Sequence, residues 1–283
     1  MTTSDRPIGV FDSGVGGVSV LREIHRELPA EDLIYLADSA YTPYGDRPAA
    51  VITERSMAMV ALLEREGVKA VVVACNTATG IAVEALRARF AIPIIAIEPA
   101  VKPAAARTRS GVVGVLATTQ TLASERFSKL VETHAAGVRV VTQPAPGLVE
   151  RVEAGELSTE ATRSLVERYV KPLLDNGADT IVLGCTHYPF LSDVIQDVAG
   201  SDVTVLDPAV AVAKELRRRL ETGGLLAPEG RLGNERFWTT GPAEQSQAVI
   251  AQLWGSPIEV TRAPSAWSPP RALAHGDVSR PDR

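Results

Sequence analysis

The sequence predicts an α/β protein made of two pseudosymmetric α/β domains with mainly parallel sheets and a cleft between them. Three observations carry this expectation. Short apolar runs rich in β-branched residues alternate with stretches of helical periodicity, the pattern of parallel strands buried under helices on both faces. The alternation runs in two series whose strands close on similar polar turns: AspSerGly (12–14) and CysAsnThr (75–77), then AlaThrThr (117–119) and CysThrHis (185–187). The length, 283 residues, suits one large domain or two modest ones at roughly 150 residues each.

Strands of the first series are expected at 8–11, 33–37, 70–74 and 94–97, where each apolar run is too short for a helix. Helical periodicity fills the intervals at 18–28, 48–66 and 79–90. The second series places strands at 111–117, 138–142, 180–183 and 203–206, with helices at 124–134, 159–175 and 190–198. Beyond Asp207 come a helix at 209–221, a Gly-Gly break, a strand at 236–240 and a helix ending at Trp254. This is too little for a third domain. The expected division is therefore 1–97 plus 208–265 as a discontinuous first domain and 98–207 as the second. Residues 266–283, rich in Ser, Pro, Arg and Asp, are expected to form a mobile tail.

Composition excludes several classes. With 29 Lys and Arg against 34 Asp and Glu, the net charge is −5, which argues against nucleic acid as an obligatory partner. The N-terminus lacks the basic and apolar segments of a signal peptide. No apolar run reaches the ~18 residues of a membrane span. Two Cys and four scattered His offer neither a disulfide framework nor a metal site. A cytoplasmic protein with reduced thiols is expected. The loop DSGVGGVSV lacks the third glycine of a dinucleotide fingerprint, and no GKS or GKT follows. Its glycines suit a backbone turning tightly against a small ligand.

Both cysteines, Cys75 and Cys185, fall where a buried strand runs into a polar turn. Ligands of parallel sheets bind at such carboxyl ends, and the following helix is expected to lower the thiol pKa. A free Cys is also a common small buried hydrophobe, but here the only two thiols occupy corresponding places in two halves. Two acid/base groups facing each other across a cleft suit the inversion of a carbon acid, one removing a proton and the other delivering one to the opposite face. Asp12 is suited to assisting Cys75 or to capping the next helix, and His187 to pairing with Cys185 or to a bond within its turn. Ser13, Asn76, Thr77 and Thr186 offer groups for carboxylate oxygens, and all four are also routine at helix starts. Tyr44 and Gly45, in a turn stiffened by Pro43 and Pro48, are placed to line a cleft or to form an ordinary loop. Glu150, after Pro-Gly, opens a helical pattern and by itself reads as a solvated first-turn acid.

Taken together, IGVFDSGVGGVSV, YLADSAYTPYG, VVACNTATG, IPIIAIEPA, GVLAT and LGCTHYPFL resemble the motifs of the cofactor-independent glutamate racemases in the aspartate/glutamate racemase superfamily. The resemblance runs from about Ile8 to Pro208. It implies interconversion of L- and D-glutamate for peptidoglycan synthesis. It also implies Cys75 as the acid/base for the D-enantiomer and Cys185 for the L-enantiomer, with Asp12, His187 and Glu150 as assisting groups. Asp12, Ser13, Tyr44, Gly45, Asn76, Thr77, Thr186 and His187 match its substrate-binding positions. A homodimer without cofactor or metal is implied, and none of the five Lys sits at a strand end suited to a Schiff base.

Competing expectations are an aspartate or hydantoin racemase, a binding module for an acidic amino acid, and a redox dithiol. The redox reading lacks a CxxC motif. A decarboxylase of the same superfamily would keep only one of the thiols.

Overall fold

A computed structural model describes residues 3–228 and 230–264; the tail expected at 266–283 lies outside the described residues. The chain begins with alternating strands and helices: β1 (Ile8–Asp12), α1 (Val18–Glu27), β2 (Leu33–Ala37), α2 (Ala49–Arg65), β3 (Ala70–Val73), α3 (Asn76–Arg89) and β4 (Ile94–Ala96). A short α4 (Val101–Arg107) leads into β5 (Val112–Ala117), α5 (Thr119–Ala123), α6 (Glu125–His134), β6 (Arg139–Pro144), α7 (Leu148–Glu153) and α8 (Glu160–Asp175). The remainder is β7 (Thr180–Gly184), α9 (Ser192–Ala199), β8 (Thr204–Leu206), α10 (Ala209–Thr222), β9 (Glu235–Thr239), α11 (Ala243–Trp254) and β10 (Val260–Arg262).

Two sheets result, ordered β10-β9-β2-β1-β3-β4 and β6-β5-β7-β8. Every strand pair in them is parallel. Every residue of β1, β2, β3 and β7 is buried, which is why these segments read as unbroken apolar runs. The edge strand β6 is largely accessible.

The order β2-β1-β3-β4 repeats as β6-β5-β7-β8, so the internal repeat seen in the strand-end motifs is also a repeat of topology. In each half the first strand lies between the second and the third. Connections therefore leave it in opposite directions, opening a crevice at the carboxyl ends. Asp12 ends β1 and Cys75 follows β3 at one crevice; Thr118 follows β5 and Cys185 follows β7 at the other. The segment after Asp207 returns to the first sheet, where β9 pairs with β2 from Leu33↔Glu235 to Ala37↔Thr239.

Differences from the expected elements are local. Helix α3 starts at Asn76 rather than 79, because the Cys75 side chain accepts the Ala78 N–H and caps it. The three-residue edge strand β10 and the helices α4 and α5, seven and five residues long, were not expected as elements. Each is shorter than the window over which periodicity can be read. No helix among the described residues is long and apolar enough to cross a membrane.

Candidate active site

The carboxyl ends of the two sheets face one small, tightly closed cavity, lined by Ser13, Tyr44, Gly45, Cys75, Asn76, Thr77, Thr118, Cys185, Thr186 and His187 among others. Both thiols are free and buried. The first half supplies Cys75 and the second supplies Cys185, so each thiol reaches the cavity from its own crevice.

Around Cys75, Sγ lies 3.6 Å from Ser13 Oγ and accepts the Ala78 N–H at 3.5 Å. The expected lowering of its pKa is corrected here. Burial, reinforced by the Asp12 carboxylate, pushes the Cys75 thiol well up and outweighs the bonds from Ala78 and Ser13. A single backbone N–H at a helix start cannot offset removal of a thiolate from water. Cys75 therefore rests as a thiol. Asp12 is fully buried; its Oδ2 accepts the Gly17 N–H at 2.7 Å and the Thr186 hydroxyl at 3.3 Å. Asp12 thus both holds the start of α1 and reaches the other half. Burial raises its pKa, with the His187 charge opposing.

Cys185 has a different companion. His187 Nδ1 lies 3.7 Å from its Sγ, and Nε2 lies 2.7 Å from Glu153 Oε1. Burial alone disfavours the charged ring, but the bonds to Cys185 and Glu153 outweigh it and raise the His187 pKa well above 6.5. An imidazolium in that position is the partner a thiolate needs. Glu153 also accepts the Val15 N–H at 2.8 Å, tying α7 to the glycine loop of the first half. That loop must come close: a Cβ on Gly14 would overlap the Glu153 carboxylate, and one on Gly16 would overlap the His187 ring. These glycines let the loop come into contact with the opposite half.

Several further polar groups converge on the cavity. Asn76 is buried with both side-chain polar atoms unpartnered, an arrangement that a bound ligand would relieve. Thr77 Oγ1 lies 2.9 Å from Thr118 Oγ1 and 3.2 Å from Thr121 Oγ1, bridging the halves. Sequence reasoning missed Thr118, Thr121 and Glu153. Glu150 is exposed on α7 and lines a neighbouring cavity with Thr118, Val149 and Tyr188; the carboxylate that reaches His187 is Glu153, three residues later. Among the described residues no cluster of His, Cys, Asp or Glu could hold a metal ion.

The two sheets thus bring the strand ends of both halves to one cavity that holds both thiols. The Asp/Glu/Hydantoin racemase family model matches residues 8–216, and the chain belongs to that family, a group of isomerases. The chain is 52% identical over 268 residues to the glutamate racemase of Methylococcus capsulatus, covering 95% of this chain and 99% of that one. Its structure is similar to that of a glutamate racemase from Bacillus anthracis, with a TM-score of 0.83, 34% identity and coverage of 92% and 98%. It is also similar to the glutamate racemase of Francisella tularensis solved in complex with D-glutamate, at TM-score 0.80, 29% identity and coverage of 92% and 97%.

Proposed function

We propose that this chain interconverts L- and D-glutamate by two-thiol proton transfer, without cofactor, and supplies D-glutamate for peptidoglycan in the cytoplasm. The observation that carries the reading is the pair of buried thiols lining one cavity from equivalent strand ends of two halves. Similarity to a glutamate racemase holding D-glutamate supports the substrate. We read 1–97 plus 208–265 and 98–207 as the two domains on the basis of sheet membership, and a homodimer on the basis of family resemblance.

In the L-to-D direction, Cys185 as thiolate beside the His187 imidazolium takes the α-proton. The electron pair of the broken C–H bond passes into the α-carboxylate as an enediolate. Cys75 then donates its proton to the opposite face and is left as thiolate. The D-to-L direction runs the same steps in reverse, and proton exchange with solvent otherwise resets the pair. Asn76, Thr77, Ser13 and Thr186 are the groups available to the carboxylate, where preorganised donors stabilise developing charge. Asp12, buried between the halves, offers a carboxylate to the substrate ammonium, whose approach also favours ionisation of the nearby thiol. Tyr44 and Gly45 close one wall.

The test is incubation of the purified protein with L- or D-glutamate in deuterated water, without added cofactor. Racemisation with deuterium at the α-carbon is expected; aspartate or a hydantoin racemised in preference to glutamate would replace the substrate assignment.

A further inference from the structure

Outside the proton-transfer machinery, the residue after β2 carries a buried ion pair that no step above uses. Asp38 Oδ1 accepts Arg55 Nη2 and the Thr240 hydroxyl, each at 2.7 Å. Its Oδ2 accepts the Tyr44 hydroxyl at 2.6 Å and Arg55 Nε at 2.9 Å. Asp38 and Arg55 are both buried, and the guanidinium lies over the Tyr41 ring, 3.8 Å from its centroid. The four donors come from three places: the turn at Tyr44, helix α2, and the turn after β9. The Asp38 N–H is bonded to the Asp12 carbonyl at 2.9 Å, so the pair is referenced to the strand that bears the site.

A buried ion pair is weak as a stabilising device compared with apolar residues of the same volume. What a bidentate guanidinium–carboxylate pair supplies is direction. Here the group directed is Tyr44. Its phenol, pushed well above its ordinary value by burial and by Asp38, keeps its proton and donates inward. That anchors the Tyr44–Gly45 wall from behind. In front, Gly45 faces Thr118 so closely that a Cβ would lie 3.0 Å from the Thr118 Cβ. The wall is thus held between Thr118 on the cavity side and Asp38 behind it.

We propose that Asp38 and Arg55 are positioning residues whose pair holds the Tyr44–Gly45 wall at the distance from Thr118 that glutamate requires, and so sets affinity and the preference for glutamate over aspartate. The inference rests on the glutamate reading above. The pair takes no part in proton transfer.

The experiment compares wild type with Arg55→Lys, which keeps the charge but loses the fork, and Thr240→Val, which removes one donor. The double variant Asp38→Asn/Arg55→Met removes both charges and keeps the test open should Arg55→Lys not fold. Kinetics with glutamate and aspartate, the pH profile of kcat, calorimetric affinity for both amino acids, and Tm are measured. Arg55→Lys should raise KM and the dissociation constant for glutamate about 10-fold and narrow the glutamate-to-aspartate ratio by a similar factor, with kcat within about threefold and its pH profile unmoved. Thr240→Val should move the same quantities in the same direction by a smaller factor.

A lowered Tm with unchanged affinity would show a merely structural role and overturn the inference. So would a fall in kcat at constant KM, or a displaced pH profile. Wild type that binds glutamate without turning it over would overturn the catalytic reading alone, because the affinity comparison still decides the positioning role. Wild type that does not bind glutamate would overturn both.

Discussion

Replacing Glu153 with Gln separates the charge of this residue from its hydrogen bonds. The amide oxygen can still accept the Val15 N–H and His187 Nε2, which the carboxylate now holds at 2.8 and 2.7 Å. A bond to a charged group contributes about 1.5–3 kcal/mol and a neutral one about 0.5–1.5. The difference, on the order of 1–1.5 kcal/mol, corresponds to about one unit of pKa on the ring. The sign follows from the direction of the His187 shift, which is upward. The imidazolium is present below the folded pKa and lost as pH rises through it, so removing Glu153's charge brings that loss to lower pH. The alkaline limb of kcat/KM should therefore move down by about one unit, costing ~10-fold on that limb and little on the acid side. Polarimetry across the neutral to alkaline range reads this directly. Since the enantiomers have equal free energy, kcat/KM must change equally in both directions, which provides an internal check. Glu150→Gln, on the exposed face of the same helix, should leave the profile in place. An unmoved limb in Glu153→Gln, or a larger effect from Glu150→Gln, would refute the assignment of Glu153 as the partner of His187.

Two further perturbations address the scaffold. Gly16→Ala places a methyl where the His187 ring stands. Displacing that ring should cost about 1–3 kcal/mol of stability and roughly 10²-fold in kcat, as measured by urea unfolding and turnover; wild-type kcat would show that the loop has room to yield. Asp179, exposed for 18% of its side-chain area, accepts bonds from Thr108, Arg109 and Ser110 at 2.6, 2.7 and 2.8 Å. Partial burial works against its charge, but the bonds from Thr108, Ser110 and Arg109 outweigh it and lower its pKa. A lowered pKa contributes stability that is present above the unfolded value of about 4 and lost as pH falls through the folded one. Asp179→Asn should therefore lower Tm by about 2–4 °C near neutrality, and the difference should shrink in acid; an acid-independent difference would contradict it.

How much of this was legible in the sequence depended on the size and surroundings of each element. Strands such as β1, β3 and β7 are buried throughout and announced themselves as apolar runs. The edge strand β10, with only Val260 buried, had no such signal. The thiols, Asp12 and His187 could be singled out because each ends or follows a strand, a position that parallel sheets reserve for ligands. The pKa of Cys75 could not, because local sequence shows the helix start but not the enclosure that outweighs it. Glu153 left a trace that was missed. At ~100° per residue, it lies beside the stripe formed by the buried Leu148, Val149 and Val152, whereas Glu150 lies nearly opposite. Reading α7 by its apolar face would have favoured Glu153. Thr118 and Thr121 gain significance only when the halves meet and bring them to Thr77.

The central claim, one thiol for each face of the α-carbon, is tested most directly by single-thiol variants in deuterated water. With Cys75→Ala, Cys185 can still remove and return a proton on its own face, so L-glutamate should gain α-deuterium without becoming D-glutamate. With Cys185→Ala, D-glutamate should exchange and L-glutamate should not. Exchange of the opposite enantiomer, or sustained racemisation by either variant, would contradict the account.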